Sequence, residues 1–167
     1  MKKIIVIALL FVSVISFAQE TPCKLMVETK DGKTLYKGER NYVNTNYENF
    51  RICIQYLYDG EKHCLGLTID SKTPVTIEEN SVIYVQFASE KEVELKLSEM
   101  IPNGKKIECR YAITDSNKTI FSNEVISGIY LSTQEYPQVE VPDLNKYTAK
   151  KIMERFNCAI QTINTEE

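Results

Sequence analysis

Two runs of alternating apolar residues, 50–58 and 63–69, flank the dipeptide Asp59-Gly60. No other stretch restricts the fold so tightly, because an Asp-Gly step between alternating segments is the strongest short-range hairpin signal. Placing Asp59 and Gly60 at the two central turn positions pairs Phe50 with Ile69, Ile52 with Leu67, Ile54 with Leu65 and Tyr56 with His63. One face of the hairpin is then apolar throughout. The other carries Arg51, Cys53, Gln55, Leu57, Lys62, Cys64, Gly66 and Thr68, the mixed pattern of a solvated or edge surface.

The same logic extends along the chain. Asp31-Gly32 predicts a hairpin between 25–30 and 33–36. A third joins 81–87 to 93–97, with Val93, Leu95 and Leu97 inward and Glu92, Glu94 and Lys96 outward. In 106–113 Ile107, Cys109, Tyr111 and Ile113 share a face, and 126–131 is a further strand with Gly128 as a bulge site. Segment 115–125 suits either a short helix or a strand. Its stretch 118–124 echoes 33–39, which we read as two hairpins with similar turn needs rather than a duplicated unit. Short strands at this spacing predict an antiparallel β-sandwich or a partly closed barrel.

After Pro137 and Pro142 the period changes from two to 3.6. Asp143 can cap a helix over about 143–163 whose apolar stripe is Ala149, Ile152, Phe156, Ala159, Ile160 and Ile163. That stripe must be buried, and the sheet is the surface on offer.

Residues 1–18 stand apart. Lys2 and Lys3 precede an apolar run over 4–17 that ends in Ser16-Phe17-Ala18, the order of a secretory signal peptide. The run falls short of the roughly 20 residues a membrane span needs. With Cys23 well past Ala18, no lipid-modified terminus is indicated. The sequence thus predicts export to the periplasm or beyond, as a single domain over 19–167. Lys2 and Lys3 are the only charges before residue 19, so the formal charge of −3 becomes −5 in that domain. Nucleic acid and anionic membrane surfaces are therefore not expected partners.

Five cysteines, Cys23, Cys53, Cys64, Cys109 and Cys158, leave at least one unpaired within a single chain. Cys109 shares its face with Ile107 and Ile113 and reads as a small core residue. Cys158 lies off the helix stripe, so either another segment covers it, with Cys23 the favoured disulfide partner, or it is an exposed reactive thiol. Cys53 and Cys64 are diagonal neighbours in the register above, about 7–8 Å apart. A disulfide between them needs Cα atoms within about 6.8 Å, and so a shifted register or stronger twist.

No CxxC, HExxH, Ca²⁺-loop, GxSxG or Ser-x-x-Lys element is present, and no cofactor is indicated. His63, the single imidazole, reads as the hydrogen-bonded partner of Tyr56 at the core edge. The acidic clusters Glu78-Glu79 and Glu90-Glu92-Glu94 read as solvated. Segment 40–49 is the most functional-looking loop, rich in asparagine and holding Tyr42 and Tyr47, though such turns are also ordinary connectors. Those two tyrosines are the candidate ligand-binding residues, since aromatic faces beside amides suit sugars and peptide surfaces.

Tyr111-Ala112-Ile113-Thr114, then 126–131, then 145–163 with its Ala-Lys-Lys-Ile step at 149–152, resemble a type of small exported Bacteroidota protein of unknown role. The signal ending Phe17-Ala18-Gln19 does so too. The resemblance implies a sheet with a terminal helix packed on it and transfers no catalytic residue. The leading expectation is an exported, non-catalytic module that binds a protein or a cell-surface polymer such as a polysaccharide. The alternatives are a small hydrolase using carboxylates or His63, and a lipocalin-like carrier of an apolar ligand.

Overall fold

The structure, a computed structural model, describes residues 23–30, 32–103, 106–141 and 144–166. The predicted signal peptide and the helix cap assigned to Asp143 lie outside the described residues. Ten strands follow the sequence: β1 (Met26–Lys30), β2 (Lys33–Lys37), β3 (Asn41–Asn44), β4 (Phe50–Tyr58), β5 (His63–Ser71), β6 (Val82–Phe87), β7 (Glu92–Asn103), β8 (Lys106–Ile113), β9 (Ile126–Leu131) and β10 (Val139–Val141). Among the described residues there are also two helices, α1 (Asp115–Asn123) and α2 (Lys146–Glu166). All pairings are antiparallel, in the order β1-β2-β4-β5-β8-β7-β6-β9-β10.

The central hairpin forms, but its register differs from the predicted one by two residues. Ile52 faces Ile69, Ile54 faces Leu67, Tyr56 faces Leu65 and Tyr58 faces His63. The physical reason is the turn. Gly60, at φ 91°, takes the first central position and Glu61 the second, while Asp59 precedes the turn and its carboxylate accepts hydrogen bonds from the Glu61 and Lys62 amides. Positive φ at the first central position alone is the type II′ pattern, not the type I′ of a centred Asp-Gly. A two-residue shift preserves parity, so the apolar residues keep their face.

The hairpin predicted between 25–30 and 33–36 also forms, with Lys30 opposite Lys33 and Gly32 at φ 75°. The β6–β7 hairpin also forms as read, although β7 is longer than predicted. Its residues 92–96 pair with β6 on one edge, and residues 97–103 pair with β8 on the other. The register shift between Leu97 and Glu99 marks where the strand passes from one half of the sheet to the other. In β9 the extra residue is Ser127, beside the predicted Gly128.

Segment 115–123 is a helix, whereas 33–37 is strand β2, so the echo of 33–39 in 118–124 reflects neither duplication nor a shared hairpin. Phe121, the buried residue of that helix, explains the outcome: the turn brings Phe121 onto the core. The α2 helix begins after Asn145, whose side chain accepts from the Thr148 amide at 2.8 Å and acts as the cap.

The sheet does not close into a barrel, yet its two ends converge on one core. The α2 helix touches both β4 and β9, strands from opposite halves of the order. Asn46 bridges the remaining gap at one end, donating to Gln138 and accepting from the Glu140 amide. Every residue of the predicted helix stripe is buried. The centre is an aromatic chain running Tyr56, Phe156, Phe121, Phe87, with centroids 5.4, 5.9 and 5.2 Å apart. It joins β4, α2, α1 and β6 and fills the interior.

Candidate functional site

The face of β4, β5 and β8 turned away from this core was expected to be solvated, but Cys53, Gln55, Leu57 and Cys64 are buried on it. Register shows why. Neighbouring positions across the strands form rows: Arg51, Asp70, Lys106; then Tyr42, Cys53, Thr68, Glu108, Ile101; then Gln55, Gly66, Arg110, Glu99; then Lys37, Leu57, Cys64, Ala112. Small side chains make the floor and long charged ones stand over it. A Cβ at Gly66 would sit 2.6 Å from Leu57 Cδ1, so any larger residue there would displace the Leu57 side chain.

The β1–β2 hairpin forms an arm beside this floor. Among the described residues its strands pair with the rest of the sheet at Tyr36 and Lys37, opposite Tyr58 and Leu57. Between the arm and the sheet is a cavity of about 510 Å³, with Glu28, Lys37 and Leu35 on one side and Glu99 and Arg110 on the other. A second cavity of about 190 Å³ continues toward Tyr42 and shares Ile101 and Glu108 with the first. The two cavities therefore adjoin at these residues and form one candidate site, the groove.

Most charges in the groove are paired. Lys37 bonds Glu28 at 2.7 Å, Lys106 bonds Asp70 at 3.0 Å, and Arg110 bonds both Glu99 and Glu108. The Glu28 carboxyl is held below the ordinary carboxylate range by its Lys37 hydrogen bond, with Arg40 and Arg110 adding to the effect. Arg40 and Arg51, however, have no carboxylate partner among the described residues.

Arg40 owes its position to a bulge. Strands β2 and β3 lie along the same edge of β4, and residues 38–40 oppose only two residues there. Gly38 donates to the Tyr56 carbonyl at 2.8 Å, and Gln55 donates to the Gly38 carbonyl at 2.6 Å. Arg155 of α2 bonds Glu39, the Arg40 carbonyl and Asn41. The terminal helix thereby fixes the backbone that aims Arg40.

Of the two tyrosines singled out by sequence, Tyr42 is 61% exposed and lines the groove. Tyr47 is elsewhere: its ring packs edge-on against Tyr136, which also meets Phe50, so it fastens the loop to the core. Arg40 and Arg51 escaped the sequence reading, although Arg40 opens the same 40–49 segment and Arg51 was placed on the polar face.

His63 is buried and engaged at both ring nitrogens. Lys118 donates to Nε2 at 3.0 Å; an ammonium can only donate, so the ring proton is on Nδ1 and points to the Tyr56 hydroxyl. Asp115 holds Lys118 at 2.8 Å. The network ties α1 to the central hairpin through a diagonal Tyr56 contact, not the direct pairing predicted.

A disulfide joins Cys23 to Cys158, with Cα atoms 5.7 Å apart. Cys53 and Cys64 form no bridge, correcting that candidate pair. Cys53 faces Thr68, and Thr68 is four positions from Cys64, about 13 Å along the strand. A depression of about 640 Å³ surrounds the disulfide; its guanidinium, Arg155, is already bound to Glu39 and Asn41, and its other cations, Lys24 and Lys151, are exposed ammonium groups without a planar fork. The groove is the better candidate.

Cys53, Cys64 and Cys109 are buried free thiols. Burial pushes Cys64 up to about 11 and Cys109 up to about 12. Their raised folded-state values make stability fully present below the unfolded thiol value near 9 and lost as pH rises through 11 to 12. Urea unfolding at pH 10.5 should give a free energy lower than at pH 8 by roughly 2 kcal/mol per thiol. Cys109→Ala should flatten that dependence; an unchanged slope would mean the thiol does not stay protonated in the fold.

Comparison with known proteins finds no matching family model, curated protein or solved structure. Among the described residues no helix is long and apolar enough to cross a membrane.

Proposed function

We propose that this protein is an exported, non-catalytic module that binds an extended cell-surface polymer along the groove between the β1–β2 arm and the outer face of the sheet. The observation that carries this reading is that the two cavities adjoin at Ile101 and Glu108, so that together they reach from the arm to the exposed ring of Tyr42. A long channel lined by fixed charges suits a chain of repeating units better than a compact small molecule, which is enclosed on most sides. His63 supports a structural role over a hydrolytic one, with both nitrogens committed and the ring buried. The aromatic filling of the interior likewise argues against a hollow carrier.

Sedimentation with insoluble envelope polysaccharides tests the proposal. The mature protein should co-sediment with at least one of them, and Ile101→Trp, which narrows the shared waist, should reduce the bound fraction several-fold without changing the melting temperature. Equal retention of the two proteins would overturn the groove as the binding surface.

A further inference from the structure

We infer that the Tyr42 end of the groove is a subsite for a carboxylated sugar, one uronic acid unit of an acidic polysaccharide. The inference rests on the groove reading above and adds the chemistry of the ligand. Its first support is the charge census. Asp70 is taken by Lys106 and Glu108 by Arg110, so Arg51 is left without an anion even though Asp70 stands opposite it on the neighbouring strand. Arg40, aimed from the bulge, is in the same position. Two guanidinium groups therefore face one cavity, and their planar forks match a carboxylate bidentately.

The second support is size. At about 190 Å³ the subsite is smaller than the roughly 300 Å³ at which pockets for whole small molecules begin. It takes one unit of a chain whose remainder continues into the wider cavity beside the arm. The third is the surrounding chemistry. Tyr42 offers a ring face for an apolar sugar face, while Asp70 and Glu108 can accept hydrogen bonds from hydroxyls. Those same carboxylates repel a doubly charged phosphate more than a single carboxylate. An acidic peptide would satisfy the arginines but has no hydroxyl-bearing ring for Tyr42, Asp70 and Glu108 together.

The test is calorimetric titration of the mature protein with oligogalacturonate, a neutral galactose oligomer, poly-glutamate of similar length and inorganic phosphate. Oligogalacturonate should bind, and binding should weaken with salt. Arg40→Ala with Arg51→Ala should cost about tenfold or more, since each removes hydrogen bonds to a charged group. Tyr42→Ala should cost severalfold, and both variants should melt as the parent does, because all three side chains are exposed. Poly-glutamate or phosphate binding as tightly as oligogalacturonate would overturn the sugar assignment, as would oligogalacturonate binding that survives the double replacement. Neutral oligomer binding that is lost in Ile101→Trp and kept in the arginine variant would overturn the carboxylate subsite and leave the groove standing. Absence of binding to every oligomer would overturn the subsite, and the groove reading falls separately if co-sedimentation is also absent.

Discussion

Phe156→Asp should unfold the domain, or lower its melting temperature by well over 10 °C. Phe156 is buried between Tyr56 of β4 and Phe121 of α1, so its loss removes the link between the sheet and both helices. Truncation of a core phenylalanine costs about 3–5 kcal/mol, and an unpaired carboxylate in the same place adds several more. Total stability for a domain of this size is only about 5–15 kcal/mol. Phe156→Leu should cost far less and retain a cooperative transition. A melting temperature unchanged in the Asp variant would show that α2 is not docked on the sheet.

The second large effect belongs to the Cys23–Cys158 bond. It closes a loop of 135 residues, and the chain-entropy argument assigns such a loop on the order of 5 kcal/mol of stabilisation. Cys23→Ser with Cys158→Ser should therefore lower the unfolding midpoint by about 10 °C or more. Alkylation of the denatured, unreduced protein should add three adducts, at Cys53, Cys64 and Cys109, and five after reduction. Five adducts before reduction would show the bond to be absent.

Much of this architecture was legible because it depends on local period. The stripe from Ala149 to Ile163 is a 3.6-residue repeat, and each of its members is buried. The strands with alternating faces, 106–113 above all, are equally local. The hairpin register was missed because it turns on whether Gly60 takes the first or second central turn position, a choice that the dipeptide leaves open. Helix α1 carries β-branched Thr119 and Ile120 and little else to declare a period; a tertiary contact, Phe121 against Phe87 and Phe156, decides it.

The groove was the least legible part. It draws on the arm, the 38–40 bulge and five further strands, and its free cations are defined by which carboxylates other residues have already taken. That is a property of the assembled sheet rather than of any segment. Tyr42 could be found from the loop's composition; Arg51 could not, because its significance depends on Lys106, fifty-five positions away, neutralising Asp70.

The bond from Cys23 to Cys158 spans every strand of the sheet in sequence, because all ten lie between those two residues. Tension applied between these two points would pass through sulfur and leave the hydrogen-bonded ladders slack.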